Sequence, residues 1–396
     1  MDYVLFDSEI RETLKPLTYT RPVCEIRTGV MTIREKWEKF LNKKVSILTE
    51  DYLSKKYTLT VSEEMIFIDG SICPTQELVN SINQMKLGDV LYEESTQRII
   101  AKFESKDSFE KKVSLNSNKV LFSGQINKIT SLVSIFLLNK EEIRRDFDIL
   151  TKDRKSMPLS PTNRFIGEDI FVEEGAKVEF SILNATEGPI YIGKNCEIME
   201  NSVIRGPFAM NEHSVVKMSA KIYGPVSLGP YCKVGGEVAD CVFFGYSNKA
   251  HDGYFGDSVI GEWCNVGADS NTSNLKNTYD DVKLWSTEHS TFESTGVIFC
   301  GTIMADHTKC GINTMFNTGT VIGVSSNVFG PGYQRNYIPS FVWGGTKGMR
   351  RDYDVEKAIK VAEVVERRRN ITMSEEDKEI LRHVYEITHS DREILD

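Results

Sequence analysis

Apolar residues recur at every sixth position through much of the second half of the chain. The longest unbroken series is Ile192, Ile198, Ile204, Met210, Val216, Ile222, Leu228 and Val234. This period matches neither the 3.6-residue turn of an α-helix nor the two-residue alternation of a strand. It is typical of a three-sided coil, in which each flank supplies one inward side chain and each turn of about 18 residues stacks on the last. The pattern therefore predicts a parallel β-helix over residues 163–345.

The six-residue period is interrupted twice, at residues 240–253 and 269–295. A regular repeat places insertions at its surface, and surface loops commonly carry binding and catalytic residues. We therefore expect the chemistry of this region in the two interruptions.

Before residue 152 the pattern changes to short apolar strands that alternate with amphipathic helices. Strands are predicted over residues 3–6, 45–48, 65–68 and 120–122, and helices over 32–41 and 75–85. The alternation predicts a Rossmann-like α/β domain over residues 1–151. Charged residues, serine and two prolines predict a linker over 152–162. Helical spacing of apolar residues predicts a helical C-terminal extension over 346–396.

The composition narrows the classes of function. The chain has 396 residues and a net charge of −9, which permits two hydrophobic cores and argues against a nucleic-acid-binding surface. Its first residues are acidic where a signal peptide is basic, and no apolar stretch is long enough to cross a bilayer. We expect a cytoplasmic protein that does not enter a membrane. The eight cysteines form no Cys-x-x-Cys pair, and we interpret them as reduced packing residues rather than metal ligands.

The first interruption ends in Lys249-Ala250-His251, and the second contains Asn274. If one coil separates the two segments, His251 and Asn274 lie about one sheet spacing apart, ~5 Å, and share a groove. An imidazole is suited to general-base catalysis because its pKa lies near the working pH. A histidine in a turn is also a common surface residue, so the residues alone leave both interpretations open.

Several motifs in this region follow one another in a fixed order. They are Lys249-Ala250-His251, Tyr254, Gly256-Asp257, Ile260-Gly261, Asn265-Val266-Gly267-Ala268 and Thr272-Ser273-Asn274-Leu275. With these motifs, residues 248–330 resemble the left-handed β-helix acetyltransferase domain of the bifunctional sugar-1-phosphate acetyltransferase/nucleotidylyltransferases, which make UDP-N-acetylglucosamine. The left hand of the coil is implied by this resemblance alone. A homotrimer is implied in the same way, because the family builds its acetyl-CoA site between neighbouring β-helices.

The resemblance also implies roles for individual residues. His251 falls at the general base, which would take a proton from the 2-amino group of glucosamine 1-phosphate as that nitrogen attacks the thioester of acetyl-CoA. The other implied positions are sugar- and acetyl-binding Tyr254, Asn265, Asn274 and Lys283, and acetyl-CoA-binding Ala268 and Thr302. Acetyl-CoA is a co-substrate in this reaction, and no metal is implied for it.

The chain departs from the family at several positions. Leu275 stands where bacterial members usually have tyrosine, and Asp280 and Ala239 stand where members have lysines. The lysine expected at Ala239 binds the phosphate of the substrate. Lys249 and Lys276 are nearby replacement cations, and we predict that they contribute to substrate binding.

Residues 14–18 and 20–22 resemble the start of a sugar nucleotidylyltransferase domain. That family places a Gly-x-Gly-Thr-Arg loop just ahead of this segment, because bare backbone must approach the triphosphate. Residues 9–13 stand there in this chain, and two of them are acidic. The activity of the domain is therefore left open.

Three residues are candidates for binding a nucleotide in this domain. Arg11 and Arg21 could contact phosphate, although surface arginines are common. Asp69 follows a predicted strand, where it corresponds to a magnesium-binding aspartate of the family or belongs to an Asp-Gly turn. Magnesium and UTP are expected only if the domain is active.

These observations lead to one predicted function and two alternatives. The leading hypothesis is an acetyl-CoA-dependent N-acetyltransferase that acts on an amino-sugar 1-phosphate, glucosamine 1-phosphate first, in UDP-N-acetylglucosamine biosynthesis. One alternative is a sugar-1-phosphate nucleotidylyltransferase, alone or in a bifunctional enzyme. The other is a non-catalytic scaffold that binds a sugar nucleotide. His251 discriminates among them, because only acetyl transfer needs its imidazole.

Overall fold

The computed structural model describes residues 2–111, 118–346 and 350–393. Contacts between residues divide the chain into two compact units. The first unit comprises Met1–Leu14, Arg21–Ile26 and Met31–Ser131, and the second comprises Lys15–Thr20, Arg27–Val30 and Leu132–Asp396. Residues 132–151 thus group with the second unit.

The first unit is built on a mixed β-sheet. Its strands are β1 (Asp2–Phe6), β2 (Ser46–Leu48), β3 (Glu64–Asp69), β4 (Ile72–Cys73), β5 (Asp89–Glu93), β6 (Ile99–Ser105), β7 (Asn118–Phe122) and β8 (Asn127–Lys128). Its helices are α1 (Ile10–Thr13), α2 (Ile33–Leu41), α3 (Asp51–Ser54), α4 (Gln76–Asn83) and α5 (Lys106–Lys111). Six strands form one sheet in the order β2-β1-β3-β6-β5-β7, with β1 parallel to both β2 and β3. The predicted strands are confirmed as β1, β2, β3 and β7, and the predicted helices as α2 and α4.

Helix α2 shows how local sequence sets an element in this unit. The hydroxyl of Thr32 accepts a hydrogen bond from the Glu35 amide at 3.2 Å, and the Glu35 carboxylate accepts one from the Thr32 amide at 2.7 Å. This capping box satisfies two amides of the first turn that have no partner within the helix. On the buried face, the Trp37 indole donates to the Ile72 carbonyl oxygen at 2.8 Å, which anchors α2 against β4.

The second unit contains a three-sided parallel β-helix. Its first flank consists of β9 (Arg164–Ile166), β12 (Ile182–Asn184), β15 (Val203–Arg205), β18 (Lys221–Tyr223), β21 (Glu237–Ala239), β24 (Tyr254–Gly256), β26 (Asn271–Thr272) and β31 (Met315–Phe316). Its second flank consists of β10 (Ile170–Val172), β13 (Ile190–Ile192), β16 (Phe208–Met210), β19 (Val226–Leu228), β22 (Val242–Gly245), β25 (Val259–Glu262), β29 (Thr302–Met304), β32 (Thr320–Ile322) and β34 (Tyr337–Ile338). Its third flank consists of β11 (Lys177–Val178), β14 (Glu197–Ile198), β17 (Val215–Val216), β20 (Lys233–Val234), β23 (Asn248–Lys249), β30 (Lys309–Cys310), β33 (Asn327–Val328), β35 (Val342–Trp343) and β36 (Arg351–Asp352). All residues of the predicted six-residue series belong to one buried core inside this coil.

The corner between the second and third flanks carries a column of stacked rings. Its members are His213, Tyr231, Tyr246, Trp263 and His307, and each has a positive φ. Ring centroids of successive members are 4.6, 5.4, 4.2 and 6.4 Å apart, and the planes are nearly parallel. We call this set the ring column. It holds one corner of each coil in line with the next.

A hairpin and several helices complete the second unit. They are β27 (Lys283–Ser286), β28 (Thr291–Ser294), α6 (Ser134–Leu137), α7 (Asn139–Thr151), α8 (Val355–Arg367), α9 (Glu375–Ile387) and α10 (His389–Glu393). The Asn139 amide joins α7 to the second flank, because its Oδ1 accepts from the Ser227 hydroxyl at 2.8 Å. In the hairpin, the Trp285 ring stacks on Tyr337 of the second flank with centroids 4.4 Å apart.

The predicted architecture is confirmed: an α/β domain is followed by a parallel β-helix and a C-terminal helical region, and the left hand of the coil stays a prediction. The eight cysteines are buried and free. Among the described helices, none combines the length and the apolar character needed to span a bilayer.

Candidate active site at a corner of the β-helix

His251 lies at the corner between the third and first flanks, on the segment that joins β23 to β24. Its side chain is exposed. Gly253 follows with a φ of +111°, and a Cβ atom there would lie 2.1 Å from the Ser270 carbonyl oxygen of the next coil. Only glycine fits this close approach without displacing backbone. The imidazole therefore projects from a corner that is packed tightly beneath the adjacent coil.

Tyr254, Asp257 and Asn274 form a hydrogen-bonded network on the first flank. The Asn274 amide donates to the Tyr254 hydroxyl oxygen at 3.0 Å and to the Asp257 carboxylate at 2.6 Å. Burial raises the pKa of Tyr254 and that of Asp257, although the hydrogen bond from Asn274 opposes the shift at Asp257. The network orients the phenol and the amide, so both are set for polar contact with a ligand.

A second carboxylate lies near this network at the corner between the first and second flanks. Burial, and after it the charge of Asp257, raise the pKa of Asp240 to about 6. Asp240 and Asp257 both have positive φ and begin successive turns at this corner. The sequence analysis named Asp257 within a motif but assigned a role to neither residue, although aspartate is one of the few residues that adopt this conformation readily and could have marked the corner.

Asn274 does not lie at the corner of the next coil that faces His251, so the expected separation of one sheet spacing is wrong, whereas a shared groove stays a prediction. The Asn274 side chain meets Asp257, which lies at the far end of the flank that begins after His251. The residue of the next coil that corresponds to His251 is instead Ala268, because the Asp269 amide donates to the Asp252 carbonyl oxygen at 3.1 Å. Tyr254 lies between His251 and Asn274. It is three residues after His251, which places it at most about 10 Å away along the strand.

The remaining predicted polar residues fall on different faces. Asn265 is exposed on the third flank, where it pairs with Asn248 and Lys309. Thr302 is fully buried, and its hydroxyl lies 2.7 Å from the Thr272 hydroxyl inside the coil. The prediction that Thr302 contacts acetyl-CoA is therefore wrong, because the hydroxyl is enclosed by the core.

The predicted lysines also differ in position. Lys249 is buried, and its ammonium donates to the carbonyl oxygens of Gly235 at 2.9 Å and His251 at 2.7 Å. It cannot reach a substrate from there, so its predicted binding role is corrected. Lys276 donates to the Asp281 carbonyl oxygen of its own loop at 2.6 Å, and Lys283 is exposed on β27.

In the first unit, Arg11 lies beyond the end of β1 and is buried. Its guanidinium donates to the Asp7 carboxylate at 3.0 Å, to the Arg21 carbonyl oxygen at 3.0 Å and to the Tyr52 hydroxyl oxygen at 2.8 Å. Burial raises the pKa of Asp7, and the charge of Arg11 opposes that shift. Asp7 and Tyr52 were missed from the sequence, although Asp7 directly follows a strand.

Asp69 ends β3 and is also buried. One carboxylate oxygen accepts from the amide and hydroxyl of Ser71 at 2.9 and 2.7 Å. The other accepts from the Ser8 hydroxyl at 3.2 Å and lies 3.3 Å from the Lys128 ammonium. Among the described residues, no group of three or more His, Cys, Asp or Glu side chains could hold a metal ion. These residues do not fit magnesium, because Lys128 already supplies the positive charge at Asp69.

Residues 3–155 match the family model described as sugar nucleotidyl transferase. The chain thus combines a segment similar to sugar nucleotidyl transferases with a parallel β-helix that follows it. Curated relatives are named bifunctional protein GlmU. That of Carboxydothermus hydrogenoformans is 26% identical over 215 residues, or 50% of this chain and 46% of the relative. That of Synechococcus elongatus is 26% identical over 218 residues, which cover 50% of this chain and 42% of the relative.

The predicted family resemblance is confirmed: the chain is similar to GlmU-type nucleotidyltransferase/acetyltransferases at modest identity. The same matches support the predicted enzyme class, a transferase. The chain spans less than half the length of the curated relatives it matches.

Among solved structures, the chain matches the polysialic acid O-acetyltransferase OatWY at 12% identity and a TM-score of 0.27, and the match covers 48% of this chain and 87% of that one. The Arabidopsis UDP-N-acetylglucosamine acyltransferase matches at 12% identity and a TM-score of 0.21, and the match covers 59% of this chain and 94% of that one.

Proposed function

We propose that the protein is a cytoplasmic, acetyl-CoA-dependent N-acetyltransferase that acts on an amino-sugar 1-phosphate, with glucosamine 1-phosphate as the first substrate to test. The observation that carries the proposal is the exposed His251 imidazole on a tightly packed corner, within the Lys249-Ala250-His251 motif. A rigid support with an accessible base is what general-base catalysis requires.

The chemistry balances with one base. The amine nitrogen of the sugar attacks the acetyl carbon, the new N–C bond forms, and the C–S bond of the thioester breaks. His251 accepts the proton lost by nitrogen and returns it to the leaving thiolate, so the imidazole is unchanged after each turnover. Tyr254 and Asn274 present an oriented hydroxyl and amide on the flank that follows, which suits them to hold the sugar.

A homotrimer is part of the proposal. Within one chain, Asn265 lies on the third flank, while Tyr254 and Asn274 lie on the first. A site that uses both sets needs either the corner at His251 to be bridged by the substrate or a second copy to face it. Packing of neighbouring β-helices supplies the second copy.

The test is release of free thiol from acetyl-CoA in the presence of glucosamine 1-phosphate, with the product identified by mass. We expect turnover by the natural protein and a loss of at least about 100-fold in kcat/KM for His251→Ala. His213→Ala is the matched control, since His213 is also an exposed corner histidine of the coil. Turnover that survives in His251→Ala would refute the assigned base, and no turnover with any amino-sugar phosphate would favour a sugar-nucleotide-binding scaffold.

The second candidate function is sugar-1-phosphate nucleotidyl transfer by the first unit. The match of residues 3–155 to the sugar nucleotidyl transferase model favours it. The internal bonds of Arg11 and the Lys128 ammonium at Asp69 argue against it. Release of pyrophosphate from UTP and N-acetylglucosamine 1-phosphate, compared with and without magnesium, tests this activity.

A further inference from the structure

The corner before His251 in the stack is unusually short. Val216 pairs with Val234 and Lys221 with Glu237, and then Val234 pairs with Lys249 and Glu237 with Tyr254. Two residues, Gly235 and Gly236, therefore turn this corner, whereas residues 217–220 and 250–253 turn the corners on either side. The shortened corner has less chain to fill the space and fewer amides to bond its neighbours.

Lys249 occupies that space from the inside. It stands in an inward column whose neighbours are Val234 and Val266, where an apolar residue is expected. Its ammonium donates to the Gly235 carbonyl oxygen of the short corner and to the His251 carbonyl oxygen of the next. The Phe255 ring lies beside it, with its centroid 5.7 Å from Nζ. One buried cation thus joins two successive corners.

The two glycines bring the corners close enough for this bond. A Cβ atom at Gly235 would lie 2.7 Å from the Ala250 carbonyl oxygen, and one at Gly236 would lie 2.8 Å from the His251 carbonyl oxygen. The main chain of His251 is therefore enclosed by Gly236 on one side and by Lys249 from within. Its side chain alone faces outward.

We infer that Lys249 is a positioning residue, whose buried ammonium holds the main chain of His251 so that the imidazole projects in one direction. This inference rests on the proposed acetyl transfer. A base that is displaced by even about 1 Å from its substrate loses much of its effect, so a clamp on its backbone serves the reaction. A clamp that served folding alone would be better made from an apolar residue, since the neighbouring positions are valines.

The energetics separate these two roles. Burial lowers the pKa of Lys249 to about 8, although the charges of Asp252 and Asp269 oppose the shift. A lysine with a lowered folded-state pKa costs stability at neutral pH, because the unfolded chain holds its proton more readily. Replacement by methionine removes this cost but also removes two hydrogen bonds to carbonyl oxygens, so the fold should stay about as stable while the clamp is lost.

The experiment compares Lys249→Met with the natural protein and with Lys309→Met. Lys309 is the matched control, since its ammonium donates to the His307 carbonyl oxygen at 2.7 Å at another corner. For Lys249→Met we expect kcat to fall about 10-fold or more, KM for the sugar phosphate to stay within about threefold, and Tm to change little. Amide hydrogen exchange at 250–253 should speed up about 10-fold, with 217–220 unchanged. Lys309→Met should keep kcat within about twofold.

Several outcomes overturn the inference. Full kcat in Lys249→Met, or unchanged exchange at 250–253, shows that the ammonium does not hold His251. Lys249→Gln, which keeps a donor, should recover part of kcat, and it replaces the methionine variant if that protein does not fold. If the natural protein releases no thiol, the proposed function fails, while the exchange measurement still decides whether Lys249 clamps the corner.

Discussion

The two candidate sites of this chain use their charged groups in opposite ways. In the first unit, Arg11 and Asp69 are buried, and their charges are met by Asp7 and Lys128 of the same unit. In the β-helix, the His251 side chain is exposed, and the His251 main chain accepts a hydrogen bond from the buried Lys249. A charged group that is paired inside its own domain is already occupied by its partners, whereas an exposed group on a packed support is available to a substrate. The comparison favours the β-helix corner as the place where chemistry occurs.

The largest expected effect tests the buried charges of the first unit. Arg11→Met leaves Asp7 buried without its cation, and we expect the free energy of unfolding of the first unit to fall by about 3–5 kcal/mol. Unfolding in denaturant, monitored by hydrogen exchange of the β1 amides, measures the loss. Thiol release by Arg11→Met should be unchanged. The control is Arg98→Met, because Arg98 pairs with exposed Glu9 at 3.9 Å and should cost less than about 1 kcal/mol. Equal effects for the two variants would break the distinction between the sites.

The next effect tests the packing of the corner that carries His251. Gly253→Ala introduces a Cβ atom 2.1 Å from the Ser270 carbonyl oxygen at a positive φ. We expect a loss of about 2–3 kcal/mol of stability and a large loss of thiol release, although His251 is intact. Gly296→Ala is the control, since Gly296 also has a positive φ but no atom within 4 Å of a built Cβ. Thermal unfolding of both variants should show the smaller cost, about 1 kcal/mol, for Gly296→Ala.

The smallest effect is a pH dependence at the corner of Asp240. Its folded-state pKa is raised to about 6. The folded protein therefore binds more protons than the unfolded chain between about pH 4 and 6, and stability falls as the pH rises through that window. After allowance for solvent screening, Asp240→Asn should gain about 1 kcal/mol at pH 7.5, and the gain should vanish near pH 4. Thermal unfolding at several pH values measures it, and a gain that does not depend on pH would contradict the assignment.

Much of the fold follows from the hydrophobic period. The residues of the series from Ile192 to Val234 point inward because every flank contributes one side chain to the same core. The period stops predicting orientation where coils change length. Val234 pairs with Lys249, fifteen residues later, so the six-residue phase is lost and the inward position of Lys249 could not be read from it.

The candidate site was predictable only in part. His251 could be assigned to a corner because it follows an apolar series and precedes glycine. The position of Asn274 relative to His251 could not be predicted, because neighbours across coils depend on the register of each corner. The partner of Asn274 is Asp257, which precedes it by seventeen residues. The buried state of Thr302 likewise depends on the Thr272 hydroxyl that receives it.

The ring column has a consequence for how the protein can change. Coils differ in length, yet the rings from His213 to His307 stay stacked, so residues have been added or removed at the other two corners. The hairpin of β27 and β28 emerges at one of those corners, between the first and second flanks. New surface loops can therefore be grafted there without moving the strands, whereas an extra residue in the ring column would put each later coil out of line with the one before it.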